Sequence, residues 1–370
     1  MRVLSSEGIL QSLTLSHAEL YTDDLTRTMA RFVEDYGFEA VAHRARTSPG
    51  GARSVVLCQG SATLVVTEVQ SPDHPVAEYV NRHGEGVGDL ALRTADAREA
   101  FRVAVARGAR PVHGPIEQDG FVLAAINGFG DVRHTLVQPP SGGRHDAPLP
   151  GFIPVAGQGA ASSPGESPGL TAMDHFAVCV PPGTLDEATG YYADVLGFVA
   201  IFEERIERGD QLVDSRAIRN RSGGCTLTIL SPRPGHAPGQ IDSFLEAHRG
   251  AGVQHIAFST PDIVRSVSLL RDRGTEFLTV PNSYYDLLGQ RLTVKGHTLD
   301  ELRELNVLAD EDHDGQLYQL FSRSTHVRRT LFFEIIQRLG ARGFGGGNVK
   351  ALYEAVETDQ SAGARAGVTR

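Results

Sequence analysis

Hydrophobic and polar positions follow one pattern twice along the chain, once in each half. The first half contains SHAELYTDDLTRTMARFVEDYGFEAV, and the second half contains DHFAVCVPPGTLDEATGYYADVLGFVAI. Each segment predicts a short apolar strand that opens on a His, then a polar turn, an amphipathic helix, and a further strand after Gly-Phe. The chain is therefore predicted to contain an internal duplication.

The correspondence between the halves continues downstream. HGEGVGDLALRTADAREAFRVAVARGARPV in the first half matches HRGAGVQHIAFSTPDIVRSVSLLRDRGTEFL in the second, and each predicts a strand, a helix and a Gly-containing turn. The stretches SVVLCQGSATLVVTEV and TLTILSP are rich in the β-branched residues that favour strands. Four modules with one helix each predict an α+β fold, because the helices are too few for a doubly wound parallel sheet.

A break in composition separates the halves. Residues 139–170 are rich in Pro, Gly, Ser and Ala and poor in large apolar residues, which is typical of a linker. We therefore expect an N-terminal domain over residues 1–138 and a C-terminal domain over residues 171–357. The last residues, 358–370, read TDQSAGARAGVTR and are predicted to be a disordered tail.

Overall composition excludes several classes of protein. The chain has 370 residues with 35 basic and 45 acidic side chains, a net charge of −10, which argues against nucleic-acid binding. No run of apolar residues is long enough to cross a membrane, and the N-terminus does not read as a signal peptide, so a cytoplasmic location is expected. Cys58, Cys179 and Cys225 are too widely spaced for a disulfide framework or a cysteine metal site.

The halves differ in the residues that could carry chemistry. The strands DHFAV and QHIAF of the second half contain His175 and His255, whereas the equivalent positions of the first half hold His17 and Asp89. Glu334 lies in the otherwise apolar strand TLFFEIIQR, and the matching strand GFGDVRHTLVQ has no carboxylate at that depth. Because a buried unpaired carboxylate costs several kcal/mol, Glu334 is expected to face a cation.

His175, His255 and Glu334 are separated by nearly equal distances along the sequence. A module repeat predicts such spacing if equivalent strands line one cavity. Two imidazoles and a carboxylate leave three positions open on an octahedral ion, an arrangement that suits Fe(II) and O₂. Simpler alternatives stay open at this point: each His can be a hydrogen-bonded structural side chain, and the Glu can belong to a buried ion pair. A metal site is the leading hypothesis.

Long segments of the chain carry a family resemblance. They are DHFAVCV, PGQIDSFLEAHRGAGVQHIAFSTPDI, YYDLL, NVLADEDHDGQLYQLFSRSTHVRRTLFFEIIQR and GFGGGNVKALYEAVE. These segments resemble the α-keto-acid dioxygenases of the vicinal oxygen chelate superfamily, which is related to glyoxalase and bleomycin-resistance proteins. The resemblance implies β-α-β-β-β modules, a degenerate non-catalytic N-terminal domain, and one Fe(II) per chain bound by His175, His255 and Glu334.

The resemblance points to two sister activities, 4-hydroxymandelate synthase and 4-hydroxyphenylpyruvate dioxygenase. Both act on 4-hydroxyphenylpyruvate and O₂ with an initial oxidative decarboxylation. The dioxygenase then hydroxylates the ring and shifts the side chain, which yields homogentisate in tyrosine catabolism. The synthase hydroxylates the benzylic carbon instead, which yields 4-hydroxymandelate on the way to hydroxyphenylglycine in peptide antibiotics. The position of the ring decides between these products.

Three positions depart from the pattern of the dioxygenase and favour the synthase. The dioxygenase typically reads GNFKALFEAIE near its C-terminus, and this chain reads GNVKALYEAVE, so that Val349 replaces a phenylalanine. In the strand TLTILSP, Thr228 and Leu230 replace a Pro and an Asn of the dioxygenase. We expect a larger and less polar pocket, which lets the substrate turn its benzylic carbon towards the metal. Neutral drift among dioxygenases is the alternative.

Further pocket residues are implied by the resemblance, without a separate acid or base. They are the polar residues Ser215, Gln240 and Gln319, together with Phe344 and Asn348 on either side of three glycines. The simpler interpretation of the polar residues is that they face solvent on ordinary strands. The three glycines predict a hinge, and residues 343–357 a lid that excludes water; the alternative is a plain loop.

Two other functions compete with the synthase, which is our leading expectation. The first alternative is 4-hydroxyphenylpyruvate dioxygenase, and the second, from a different class, is a metal-free protein that sequesters small molecules. No nucleic-acid or membrane partner is expected, and a homodimer is one option for the assembly.

Overall fold

The computed structural model describes residues 6–44, 51–141, 149–155 and 167–348. Val349, most of the expected lid and the expected tail lie outside these ranges, as do parts of the linker. Within the described ranges, no helix is both long and apolar enough to cross a membrane.

Two modules make up the first half. A short helix α1 precedes them, and helix α3 joins them. The elements are α1 (Ser6–Gln11), β1 (Thr14–Thr22), α2 (Leu25–Glu34), β2 (Glu39–Arg44), β3 (Arg53–Gln59), β4 (Ala62–Glu68), α3 (Pro75–His83), β5 (Gly86–Arg93), α4 (Ala97–Ala106), β6 (Pro111–Gln118), β7 (Phe121–Asn127) and β8 (Arg133–Gln138). Each module is thus one strand, one helix and three more strands.

Two further modules make up the second half, with two extra helices in the last one. A short strand β9 (Ile153–Pro154) comes before them. The elements are β10 (Ala172–Cys179), α5 (Leu185–Leu196), β11 (Val199–Arg208), β12 (Gln211–Arg219), β13 (Thr226–Pro232), α6 (Gln240–His248), β14 (Gly252–Ser259), α7 (Ile263–Asp272), α8 (Asn282–Arg291), α9 (Leu299–Glu304), β15 (Leu308–Glu311), β16 (Gln316–Phe321) and β17 (Phe332–Leu339).

Each half of the described chain forms one curled sheet. The strand orders are β6-β7-β8-β5-β1-β4-β3-β2-β9 in the first sheet and β11-β12-β13-β10-β14-β17-β16-β15 in the second. In both sheets the opening strands of the two modules pair antiparallel, β1 with β5 and β10 with β14, and each opening strand pairs parallel with the last strand of its module. The expected α+β fold of four duplicated modules is confirmed.

A repeated local motif starts three of the module helices. The side chains of Asp24, Asp96 and Asp262 each accept a hydrogen bond from the backbone amide three residues later, at 2.9–3.0 Å. A Thr two residues before each Asp accepts from the amide of that Asp. These caps satisfy donors that a helix start leaves free, so the same short sequence places the helix after its strand each time.

Part of the expected linker is packed against the first sheet. Strand β9 pairs antiparallel with β2, and the side chains of Leu149 and Phe152 contact the buried residues Ala42, Val56 and Val65. Composition did not indicate this contact, because the pairing involves so few residues.

An aromatic cluster joins the first half to the strand that carries Glu334. The ring of Phe333 lies 5.3 Å from that of Phe32 and 5.1 Å from that of Tyr36, and Phe38 lies 5.6 Å from Phe258. All of these rings are buried. The first half therefore packs against β14 and β17 on the face opposite to His255 and Glu334.

Candidate metal centre and adjoining cavity

Three neighbouring strands of the second sheet bring His175, His255 and Glu334 together. In the antiparallel pair β10–β14, His175 lies opposite Ala257, and His255 lies opposite Ala177. Ala257 is in turn the partner of Glu334 in the parallel pair β14–β17. Side chains on one face of a sheet recur every second residue, so this register places all three on the same face.

The ligand atoms of these residues converge on one point. Nε2 of His175 and Nε2 of His255 each lie 3.3 Å from Oε2 of Glu334. All three side chains are buried, and their possible ligand atoms lie within 4.8 Å of one another. Among the described residues, this is the group of His, Cys, Asp and Glu side chains whose geometry could hold a metal ion.

Electrostatics within this group suit a cation. Burial opposes charge on His175, but Glu334 and Asp174 outweigh it and raise the pKa of His175 to about 9. Burial likewise opposes charge on Glu334, but the two imidazoles lower its pKa to about 2. Burial lowers the pKa of His255, and Glu334 offsets only part of this effect. The ionised Glu334 thus favours a positive charge close to it. A divalent cation held between Glu334 and the two imidazoles would supply that charge.

The outer nitrogens of both imidazoles are held by hydrogen bonds. Nδ1 of His175 donates to Oδ1 of Asp174 at 2.8 Å, and Nδ1 of His255 lies 3.4 Å from Oε1 of Gln254. The ring of Phe332 also stacks on His255 with centroids 4.9 Å apart. With a proton fixed on Nδ1, each Nε2 can give its lone pair to a metal ion that displaces any proton there, as a neutral imidazole ligand requires.

A cavity opens directly onto the three candidate ligands. Six of the residues expected in the pocket line it, and they come from five different elements or segments of the second half. They are Ser215, Thr228, Leu230, Gln240, Gln319 and Phe344. Phe202, Glu204, Ile206 and Gln254 also line the cavity and were not expected from the sequence. The first three alternate along β11, a period-two signal that carries no chemical signature by itself.

Buried polar atoms in this cavity lack protein partners. Oγ1 of Thr228, Oε1 of Gln240 and Oε1 of Gln319 are buried and accept or donate no hydrogen bond in the described structure. Leaving such a group unpaired costs about 1–3 kcal/mol, so native proteins seldom keep several in one place without a use. A bound polar molecule would provide their partners.

The glycine run beyond Phe344 packs against two residues that line the cavity. A Cβ atom at Gly345 would collide with Oε1 of Gln319, and one at Gly346 would collide with Oε1 of Glu204. The glycines therefore permit close approach to these polar groups, a different use from the expected hinge. Asn348 is fully buried beside them but does not line the cavity, and its Oδ1 accepts a hydrogen bond from the hydroxyl of Tyr284 at 2.7 Å.

Family models match both halves of the chain. Residues 14–142 match the N-terminal domain of hydroxyphenylpyruvate dioxygenase, and residues 172–320 match the glyoxalase/bleomycin resistance protein/dioxygenase superfamily. A 4-hydroxyphenylpyruvate dioxygenase from Aspergillus fumigatus is 32% identical over 93% of this chain and 92% of the relative. The chain belongs to the 4-hydroxyphenylpyruvate dioxygenase family.

Other relatives show that this family includes both sister activities. A 4-hydroxyphenylpyruvate dioxygenase from Dictyostelium discoideum is 30% identical over 93% of this chain and 97% of that protein. The solved structure of a triple mutant of 4-hydroxymandelate synthase from Streptomyces coelicolor is 41% identical, with a TM-score of 0.85 over 94% of this chain and 98% of that one. The expected resemblance, closer to the synthase, is confirmed, and the fold extends over nearly the whole chain.

Proposed function

We propose that this family member is an Fe(II)-dependent 4-hydroxymandelate synthase. It converts 4-hydroxyphenylpyruvate and O₂ into 4-hydroxymandelate and CO₂. His175, His255 and Glu334 bind one iron per chain, and the cavity beside them binds the substrate. The observation that carries the proposal is the buried His-His-Glu group at the base of a cavity with three unpartnered polar atoms.

Different residues of the cavity would bind the metal and the substrate. His175, His255 and Glu334 would hold the iron at the base of the cavity, and the keto acid of the substrate would bind beside it, within reach of the metal. Iron supplies, when bound, the redox chemistry with O₂ that decarboxylates the keto acid and hydroxylates the remaining fragment. Gln240, Gln319 and Thr228 give the polar groups of the substrate hydrogen-bond partners in a site shielded from water.

Choice of product depends on how the ring is held. Leu230 lines the cavity with an apolar side chain, and its neighbour Thr228 offers a small hydroxyl in place of a proline. An amide at position 230 would provide a polar anchor for the ring or the keto acid, and its loss lets the ring turn. Val349 is expected from the sequence to enlarge the same space, although it lies outside the described residues.

The alternative function is 4-hydroxyphenylpyruvate dioxygenase. It is favoured by the names of relatives from Aspergillus fumigatus, Coccidioides posadasii and Dictyostelium discoideum, which are 30–33% identical to this chain. The synthase is favoured by the higher identity, 41%, to the Streptomyces coelicolor protein.

A product assay tests the proposal. Purified protein is incubated with 4-hydroxyphenylpyruvate, Fe(II), ascorbate and O₂, and the products are separated by chromatography. We expect 4-hydroxymandelate from the wild type, and a shift towards homogentisate or slower turnover for Leu230→Asn and Val349→Phe. Ile153→Asn, at an exposed position of β9 on the edge of the first sheet, serves as the control. Homogentisate as the main product of the wild type would overturn the synthase in favour of the dioxygenase.

A further inference from the structure

Arg338 forms a bidentate ion pair with Asp174, whose carboxylate accepts a hydrogen bond from the candidate metal ligand His175. It lies near the end of β17, on the strand that carries Glu334. Its Nε donates to Oδ2 of Asp174 and its Nη2 donates to Oδ1, both at 2.8 Å. Such a two-pronged pair fixes the plane of the carboxylate as well as its position.

The carboxylate of Asp174 orients the imidazole of His175. Oδ1 of Asp174 accepts both from Arg338 and, at 2.8 Å, from Nδ1 of His175. The side chains of Asp174 and Arg338 are 14% and 19% exposed, so water competes little for these hydrogen bonds. Arg338 thus influences, through Asp174, the direction in which Nε2 of His175 points.

The other edge of the same guanidinium holds the C-terminal segment, residues 341–348. Nη1 of Arg338 donates to the carbonyl of Gly343 at 2.6 Å and to that of Ala341 at 3.3 Å. Its Cζ also lies 5.2 Å from the ring centre of Phe344, and that ring meets the ring of His175 edge to face at 5.1 Å. The contacts close into a cycle from His175 through Asp174, Arg338 and Phe344 back to His175.

We propose that Arg338 is a positioning residue that couples the orientation of His175 to the seating of the C-terminal segment over the cavity. The inference rests on the proposed function, because it takes His175 as a metal ligand. The same planar guanidinium binds the carboxylate of Asp174 and the carbonyls of the segment. Displacing the segment therefore weakens the pair between Arg338 and Asp174, and the orientation of the His175 imidazole becomes less fixed. The site is thereby complete only when Phe344 closes its wall.

A second clamp on the segment allows the coupling to be separated from simple anchoring. Oδ2 of Asp312 accepts from the backbone amides of Arg342 and Gly343, at 2.7 Å and 2.6 Å. Among the contacts of the described residues, those of Asp312 reach the segment but neither Asp174 nor His175. Asp312→Ala therefore weakens one anchor of the segment but leaves the contacts of Arg338 that keep it seated, whereas Arg338→Met removes the link between the segment and Asp174. Arg342→Met is a control, since its side chain is 79% exposed and, among the described residues, forms an ion pair with Asp314.

The experiment measures two quantities on the purified full chain. Co(II), used alone as a probe, is titrated by its visible absorption, which reports ligand geometry as well as affinity. Hydrogen exchange of peptides covering residues 341–348 is followed by mass spectrometry with and without Co(II). In the wild type and in Arg342→Met, Co(II) is expected to slow exchange of the segment severalfold.

The variants give opposite results if the proposal holds. Arg338→Met should bind Co(II) about 10–100-fold more weakly, the usual effect of losing a partner behind a ligand, and bound Co(II) should no longer slow exchange. Asp312→Ala should exchange faster without metal but keep its Co(II) affinity to within about threefold and its slowing by Co(II). If Arg338→Met does not fold, Arg338→Lys, which keeps the charge without the fork, takes its place with the same expected result.

Two failures can be told apart. Unchanged affinity and unchanged slowing in the folded Arg338 variant, with a wild type that binds Co(II), would overturn the coupling and leave the proposed function intact. A wild type that binds neither Co(II) nor Fe(II) would overturn the metal site itself, and the coupling with it.

Discussion

Arg133 donates from Nε to Oδ2 of Asp89 at 2.8 Å in the first sheet. Asp89 occupies there the place that His255 has in the second sheet, because each lies on the fourth position of the opening strand of its module. Nη2 of Arg133 also reaches Oε2 of Glu19 at 3.4 Å, and the amide of Thr135 donates to Oδ1 of Asp89 at 3.0 Å. A guanidinium thus neutralises the carboxylates of the first half where the second half offers ligands.

Removal of this guanidinium should destabilise the protein without loss of metal. Arg133→Met leaves Asp89, which is 1% exposed, without its cation. Fully buried pairs cost about 3–5 kcal/mol when one partner is removed, and about 2 kcal/mol is expected here because Arg133 is partly exposed. Urea unfolding measures the loss. Arg98→Met, which breaks the exposed pair with Glu117, should cost less than about 1 kcal/mol. Equal stability of both variants would contradict this role of Arg133.

The metal should depend on the second half alone. His175→Ala and His255→Ala each remove a proposed ligand, so their affinity for Fe(II) should fall by more than the roughly 10–100-fold that loss of an outer partner causes. His17→Ala is a matched control, because His17 is also buried and lies at the position of His175 in the first sheet. Anaerobic Fe(II) titration measures the affinities. Full metal binding by His255→Ala would rule out this site.

The unpartnered hydroxyl of Thr228 is expected to contribute to substrate binding and not to the free energy of unfolding. Thr228→Val removes a buried Oγ1 that has no protein partner, so it should leave stability unchanged or raise it by up to about 1 kcal/mol. The same change should raise KM, because the substrate loses a hydrogen bond.

The control for that test lies on the same strand. Oγ1 of Thr226 accepts a hydrogen bond from Nε of Arg219 at 2.9 Å. Thr226→Val should therefore cost about 1 kcal/mol in urea unfolding and leave KM unchanged. If Thr228→Val were as destabilising as Thr226→Val, with no change in KM, the hydroxyl would have a structural role instead.

Acid should weaken the contact between the two halves at His248. Burial, with the neighbouring His83 and Arg328, lowers the pKa of His248 to about 4, although the Gly250 carbonyl and Asp131 oppose this. Its ring stacks on His83 at 4.4 Å, and its Nε2 lies 3.4 Å from the hydroxyl of Tyr79. The unfolded chain takes up the proton near pH 6.5, before the folded protein does. Stability from this group is therefore complete above pH 6.5 and is lost as the pH falls towards 4.

Unfolding measured between pH 4 and pH 7 checks this expectation. The wild type should lose on the order of 2–3 kcal/mol through His248 over that range, and His248→Asn should show a correspondingly flatter profile. His313→Asn is the control, since the side chain of His313 is 94% exposed. A profile of His248→Asn that runs parallel to that of the wild type would show that this His does not carry the dependence.

The candidate ligands and most of the cavity were predictable because they follow from the repeat and the family resemblance. His175 and His255 lie at the same position of equivalent strands, and Glu334 is conspicuous in an apolar strand. The fork between Arg338 and Asp174 was not predictable, since it depends on how strands 164 residues apart come to lie together. The pairing of β9 with β2 was missed as well, because two residues within a Pro-rich stretch leave no periodic signal.

The mass of the product from ring-deuterated 4-hydroxyphenylpyruvate distinguishes benzylic from ring hydroxylation in a single measurement. 4-Hydroxymandelate and homogentisate are isomers, so labelled substrate distinguishes them by what the ring loses. Benzylic hydroxylation in the second-half cavity predicts a product that keeps all of its ring deuterium. A product that has lost one ring deuterium, as ring hydroxylation with migration of the side chain requires, would contradict the account.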